Sequence, residues 1–154
     1  MPLQTGDKAP DFTLLDQHEQ PFSLSKSLKL RKAWQLIYFY PRADTPGCTT
    51  QACGLRDILG DIGDVAVVGI SPDKPEAQAK FDTKHSLGFP LLADEDHAVA
   101  EAYGVWGERS MYGKKYMGII RSAFLVDEKG KVAEAWYKIS PADTPKKLLA
   151  ALAS

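Results

Sequence analysis

Apolar residues come in this chain as short dense runs separated by polar turns, and the densest is Ala33-Trp34-Gln35-Leu36-Ile37-Tyr38-Phe39-Tyr40. A run this rich in aromatic and β-branched residues predicts a strand buried on both faces. Val65-Ala66-Val67-Val68-Gly69-Ile70 predicts a second. Between them Thr45 and Pro46 supply a cap and a first helical position, predicting a helix from about Pro46 to Leu59. Ser71-Pro72-Asp73-Lys74-Pro75 opens another helix over Glu76 to His85. Leu91-Leu92-Ala93 is too short to assign, and Ala98 to Tyr103 reads as a helical turn or two. Ala123-Phe124-Leu125-Val126 and Val132-Ala133-Glu134-Ala135-Trp136 read as strands around Asp127-Glu128-Lys129-Gly130, after which Thr144-Pro145 opens a last helix carrying Leu148, Leu149 and Leu152. Ahead of all of these, Phe12–Leu15 and Gln20–Ser23 flank a polar turn as a small N-terminal hairpin.

The core order is βαβα followed by ββα, which predicts an α/β fold with one mixed central sheet and helices on both faces. No linker, repeat or low-complexity tract interrupts it, so residues 1–154 read as one domain. A net charge of −1 with mixed signs leaves no basic stripe for nucleic acid and no acidic tail. The stretch Met1-Pro2-Leu3-Gln4-Thr5-Gly6-Asp7-Lys8 lacks the apolar core of a signal peptide, and no later run approaches the roughly 18 residues that cross a bilayer. The expected location is the cytoplasm, with no membrane partner. There, two cysteines read as free, catalytic or redox-sensing thiols rather than a structural pair.

Both of those cysteines, Cys48 and Cys53, fall in the segment that begins where the first buried strand ends. Cys48 lands in the first turn of the predicted helix, where free N–H groups and the helix dipole favour a thiolate. Open α/β sheets collect ligands at such strand ends. Plainer readings exist for each residue. Thr144-Pro145 repeats the Thr-Pro pair with no cysteine after it, so capping alone explains Thr45-Pro46. Pro41 ends a strand as prolines often do, Arg121 reads as a solvated edge charge, and the cysteines as inert core thiols. His18, His85 and His97 are scattered surface histidines without ligand spacing, and no metal is expected. Tyr103, Trp106, Tyr112 and Tyr116 read as loop and sheet packing, Lys114-Lys115 as a solvated turn. No glycine-rich phosphate loop follows a strand, so no nucleotide cofactor is expected.

Pro41-x-x-x-Thr45-x-x-Cys48 resembles the peroxiredoxin active-site motif. Thr45-Pro46-Gly47-Cys48-Thr49 followed by Cys53 resembles its bacterioferritin comigratory protein, or peroxiredoxin Q, group. Gly6-Asp7-Lys8-Ala9-Pro10-Asp11-Phe12, Gly69-Ile70-Ser71 and Tyr103-Gly104-Val105-Trp106-Gly107 leading to Arg121 extend the likeness over most of the chain. The resemblance implies a thioredoxin-like fold and a peroxidase of hydrogen peroxide and organic hydroperoxides. It makes Cys48 the nucleophile that becomes a sulfenic acid, and Cys53 the thiol that resolves it as a disulfide. It assigns Thr45 to orient the peroxide, Pro41 to shield the sulfur, and Arg121 to face the thiolate and the reacting oxygens. Preorganised donors are worth more here than ionisation, so Arg121, Thr45 and the N–H groups of Gly47 and Cys48 are expected to carry most of the rate. Thioredoxin, or a glutaredoxin-type donor, is the implied reductant of a monomer. Gln51 departs from the glutamate common in relatives.

Helix geometry adds a constraint to the cysteine pair. Residues five apart on a regular helix have Cα atoms roughly 8 to 9 Å apart on different faces, beyond the reach of about 7 Å of a disulfide. If Cys53 resolves Cys48, the first turns must unwind, and Thr49, Thr50 and Gly54 make that stretch weakly helical. Two other classes compete with the peroxidase: a thioredoxin-like disulfide oxidoreductase, whose usual pair has two residues between its cysteines, and a non-enzymatic redox sensor using the same pair.

Overall fold

The computed structural model describes residues 3–153; Met1 and Pro2, where the N-terminal reading begins, and Ser154, the end of the expected domain, lie outside the described residues. In chain order the elements are β1 (Thr13–Leu15), β2 (Pro21–Ser23), α1 (Leu24–Arg31), β3 (Gln35–Phe39), α2 (Pro46–Asp57), β4 (Ala66–Ser71) and α3 (Pro75–His85). Then come β5 (Leu91–Ala93), α4 (Ala98–Ala102), β6 (Trp106–Met111), β7 (Lys114–Ile119), β8 (Ser122–Val126), β9 (Val132–Trp136) and α5 (Asp143–Ala153).

Seven strands form one sheet in the order β2-β1-β5-β4-β3-β8-β9, with β3, β4 and β5 parallel and the flanking pairs antiparallel. β3 is central and buried along its whole length, which is why its sequence alternates no polar face. Its side chains still alternate in direction. Leu36, Tyr38 and Tyr40 pack with residues of α2, α3 and α5, whereas Ile37 and Phe39 pack with residues of α1 and α4. The expected mixed α/β sheet with helices on both faces is therefore the observed one.

Two elements depart from the sequence reading. α1 was not expected. It is short and rich in serine and lysine, but the Ser23 hydroxyl accepts from the Lys26 N–H at 3.4 Å as an N-cap and Leu24 and Leu28, four apart, bury on the sheet. β6 and β7 form a separate two-stranded ribbon where loop packing was expected. Its turn is Tyr112-Gly113, both with positive φ (53° and 79°), the signature of a tight hairpin. Lys114 and Lys115 thus belong to a strand, and Tyr112 is 99% exposed rather than packed. The helix expected to reach Leu59 ends at Asp57, and Leu59–Asp61 continues as a single 3-10 turn.

Packing between β3 and β4 depends on Gly69. A Cβ there would lie 2.8 Å from Tyr38 Cζ, closer than side chains approach one another. Gly69→Ala is expected to lose about 1–3 kcal/mol of stability through overpacking, seen as a lower urea midpoint. An unchanged midpoint refutes this account of the contact.

Candidate active site

The loop from Pro41 to Thr45 carries the chain from the end of β3 into α2, and two carboxylates fasten it. Asp73, just past β4, accepts from the Ala43 N–H at 2.7 Å and from the Ser71 hydroxyl at 2.6 Å. Asp44, at φ 60°, accepts from Lys84 Nζ at 3.0 Å and bonds His85 Nε2 at 3.2 Å, both on the last turn of α3. Those bonds lower the Asp44 carboxyl below its usual range. His85 is thus a tether of the loop, and His97, stacked on Trp106 at 3.8 Å and bonded to Glu101, is likewise not a lone histidine.

α2 starts as expected, with Thr45 in the capping position and Pro46 as its first residue. The expected side-chain cap is not made. Thr45 Oγ1 instead donates to the Arg42 carbonyl at 2.9 Å, folding the loop back on itself. The first helical N–H to find a backbone partner is that of Thr49, bonded to the Thr45 carbonyl at 2.8 Å. The N–H groups of Gly47 and Cys48 therefore precede the helical ladder.

Cys48 is 1% exposed and lies among Tyr38, Tyr40, Ala52 and Ile139. Arg121 closes the site. It sits between β7 and β8, with its backbone carbonyl accepting from the Ile139 N–H at 2.9 Å, and its Nη2 donates to Cys48 Sγ at 3.4 Å. The reading of Arg121 as a solvated edge charge is therefore wrong. Arg121 also touches Gly47, where a Cβ would lie 3.1 Å from Nη2 and 3.4 Å from Pro141 Cγ. Cys53 is half-buried on the same unbroken helix, and both thiols are free. Pro41, also half-buried, begins the fastened loop.

Sequence reasoning left two members of this site unassigned. Gln51, fully buried, accepts at Oε1 from Arg121 Nη1 (2.7 Å) and donates from Nε2 to Thr144 Oγ1 (2.9 Å). Thr144 does not cap its helix: its hydroxyl donates to the Ser140 carbonyl at 3.0 Å. Nor is Gly54 only a weak helical residue, since a Cβ there would lie 3.1 Å from Pro145 Cγ, so its bareness lets α5 approach α2. Beneath the site, Tyr38 presents a buried hydroxyl with no hydrogen-bond partner among the described residues. Burial, then the charges of Tyr40 and Cys48, hold its phenol well above the ordinary range. Tyr40, by contrast, donates to Gln78.

A buried sulfur at the mouth of a helix, at the carboxyl end of a central parallel strand and under a guanidinium, suits chemistry in which a thiolate attacks and negative charge moves onto an oxygen. The class so defined is a thiol-dependent peroxidase on the thioredoxin fold, and known proteins agree. Peroxiredoxin Bcp of Escherichia coli (strain K12) is 51% identical over 133 residues, covering 85% of this chain and 83% of its own. The crystal structure of peroxidoxin BcpB from Mycobacterium tuberculosis superposes with a TM-score of 0.83 at 36% identity, covering 98% and 97% of the two chains. The Xanthomonas campestris bacterioferritin comigratory protein, solved in work on its alkyl peroxide reduction, gives 0.82 at 34% identity over 92% and 90%. The chain belongs to the AhpC/TSA family, whose model matches residues 5–135, and within it to the bacterioferritin comigratory protein and peroxiredoxin Q group.

Gly47→Ala drives a methyl group between Arg121 and Pro141. Displacing one hydrogen-bond donor from a reacting charge costs about a hundredfold in other enzymes, and a partial displacement is expected to lower peroxide turnover about tenfold with the fold intact by circular dichroism. Parent-like turnover refutes the contact's importance.

Proposed function

We propose that Cys48 is the peroxidatic nucleophile and that Cys53 resolves it. The carrying observation is the 3.4 Å approach of Arg121 Nη2 to Cys48 Sγ at the start of α2. The thiolate attacks one peroxide oxygen: an S–O bond forms, the O–O bond breaks, and water or an alcohol leaves with the proton. Cys53 then attacks the sulfenic sulfur, an S–S bond forms and water departs. A dithiol donor returns two electrons and two protons by exchange through a mixed disulfide.

Thr45 and Pro41 border the reacting atoms in this reading, one orienting the peroxide and the other screening the sulfur. An open groove of about 480 Å³ beside Arg121, walled by Ile120, Ile139 and Pro141 with Arg109 and Lys138 among its polar lining, supports access for organic hydroperoxides as well as hydrogen peroxide. The donor is of thioredoxin type, with a glutaredoxin-type protein as the other candidate. The presence of both cysteines on one helix supports a cycle completed within one chain, so we read the protein as a monomeric, single-domain cytoplasmic enzyme. Those thiols are separated by four residues, which argues against the thioredoxin-like oxidoreductase.

Ionisation is not the main source of rate. A thiol with pKa about 8.5 is already several per cent thiolate at neutral pH, so full ionisation adds about tenfold, less the loss in nucleophilicity. A preorganised donor on transition-state charge is worth roughly 3 kcal/mol, about a hundredfold. Arg121 therefore does more as a donor to the reacting oxygens than as a promoter of ionisation.

The protein after one equivalent of peroxide is expected to have lost two hydrogens by mass, while Cys53→Ser traps a sulfenic acid and Cys48→Ser is inert. Peroxide consumption by Cys48→Ser at the parent rate would falsify the assignment. Arg121→Ala is expected to lower the second-order rate with peroxide about a hundredfold; full recovery at raised pH sinks the donor role.

A further inference from the structure

Beneath the cysteine site, one buried group is left out of every hydrogen bond. Tyr38 is fully buried on β3, and its hydroxyl has no partner among the described residues. A phenol O–H both donates and accepts, and stranding it among apolar groups disfavours the state that does so. Tyr40, two residues along on the same face, shows the ordinary arrangement: its hydroxyl donates to Gln78. Gln78 in turn donates from Nε2 to Ser71 Oγ at 2.8 Å and to the Leu92 carbonyl at 3.0 Å.

The surroundings of the Tyr38 oxygen offer no such partner. It lies over the bare backbone of Gly69, where a Cβ would stand 2.9 Å away, and the Gly69 N–H is already committed to the Pro90 carbonyl at 3.0 Å. The ring meets Tyr40 and Phe89 at centroid distances of 5.4 and 6.1 Å. Phenylalanine would keep both of those contacts, so the hydroxyl adds nothing to the packing of the closed site. Cover comes from α2, whose Cys48, Ala52 and Leu55 are buried in the same apolar cluster. After burial, the charges acting on the phenol are those of Tyr40, Cys48, Arg121 and Cys53, and both thiols belong to α2. Opening the first turns of α2 therefore uncovers the hydroxyl to water and to the N–H and carbonyl groups that the helix releases.

We propose that Tyr38 acts in the resolving step, through α2 rather than on the sulfur: its stranded hydroxyl disfavours the closed helix, which opens more readily for Cys53 to reach Cys48. The proposal rests on Cys53 being the resolving thiol. The sign it predicts is opposite to that of an ordinary buried tyrosine, whose hydroxyl stabilises the state in which it is bonded.

The test is Tyr38→Phe, read in two ways on the otherwise unchanged chain. In the reduced protein, amide hydrogen exchange over residues 49–53 is expected to slow about tenfold, the size of one stranded hydroxyl. After one equivalent of peroxide, the intramolecular disulfide is expected to form several-fold more slowly by quenched-flow mass analysis, while the sulfenic acid appears at the parent's rate. With peroxide in excess, the longer-lived sulfenic acid takes a second oxygen. A new S–O bond forms as the O–O bond breaks and water leaves, so sulfinic acid accumulates. Exchange as fast as the parent's or faster, or a variant that does not fold, overturns the proposal, because the hydroxyl then does not disfavour the closed helix. Slowed exchange with disulfide formation at the parent's rate overturns it as well. Exchange needs no peroxide, so failure of the resolving reading appears separately, as a parent that forms no Cys48–Cys53 disulfide while exchange still slows in the variant.

Discussion

One guanidinium joins the halves of this site. Arg121 immediately precedes β8, the antiparallel neighbour of β3, so it stands beside the strand end that leads to Cys48, and it reaches the sulfur with one nitrogen and the α2 side chain Gln51 with the other. A bidentate fork of this kind defines a plane as well as a distance. The backbone of Arg121 is held by Ile139, and its head by residues from α2 and, through them, α5. The geometry of the sulfur site is therefore a property of the closed tertiary structure, not of the cysteine loop alone.

The ties that keep α2 in place differ in strength. Asp44 with Lys84 and His85 is a partly exposed cluster, and solvent screening keeps such pairs weak. Arg56 donates to the His85 carbonyl at 2.6 Å and tethers the other end of the helix to the same turn of α3. The Gln51 bonds are buried, so breaking them without a replacement leaves polar groups stranded at a cost of roughly 1–3 kcal/mol each. The inner relay, rather than the surface clamps, holds the working arrangement, and the clamps fix the loop that leads into it.

Strands β3, β4 and β8 were legible because burial on both faces writes itself as dense apolar runs, β9 because it follows the turn at Asp127–Gly130, and the helices over Pro46 and Pro75 because proline marks a first turn. α1 was not legible: two leucines in eight residues carry its burial, and the stabilising contacts belong to the sheet. The β6–β7 ribbon hid behind exposed side chains, although Tyr112-Gly113 marked its turn. Cys48 was legible as a reactive thiol from its place in a strand-to-helix turn, while Arg121 emerged only through resemblance. Thr144 misled for a physical reason. A Thr-Pro pair at a helix start has a sufficient local explanation, and its actual partner comes from a distant part of the chain, which no local pattern encodes.

If Cys53 resolves Cys48, the same helix faces the opposite demand. Cys48 and Cys53 can join only if the first turns of α2 open, which withdraws Gln51 from between Arg121 and Thr144. Local propensity favours opening: two threonines and Gly54 together cost about 2 kcal/mol relative to alanine. The two bonds of Gln51, roughly 1–3 kcal/mol each to break without replacement, oppose it at least as strongly. A charge-assisted bond between guanidinium and thiolate, about 1.5–3 kcal/mol, adds to them while the sulfur is an anion. On the proposed chemistry, oxidation turns that anion into a neutral sulfenic acid, so the attraction between opposite charges is lost although the guanidinium stays charged, and the bond weakens. The helix thus loses part of its support at the step that requires it to open, without any signal from outside the site.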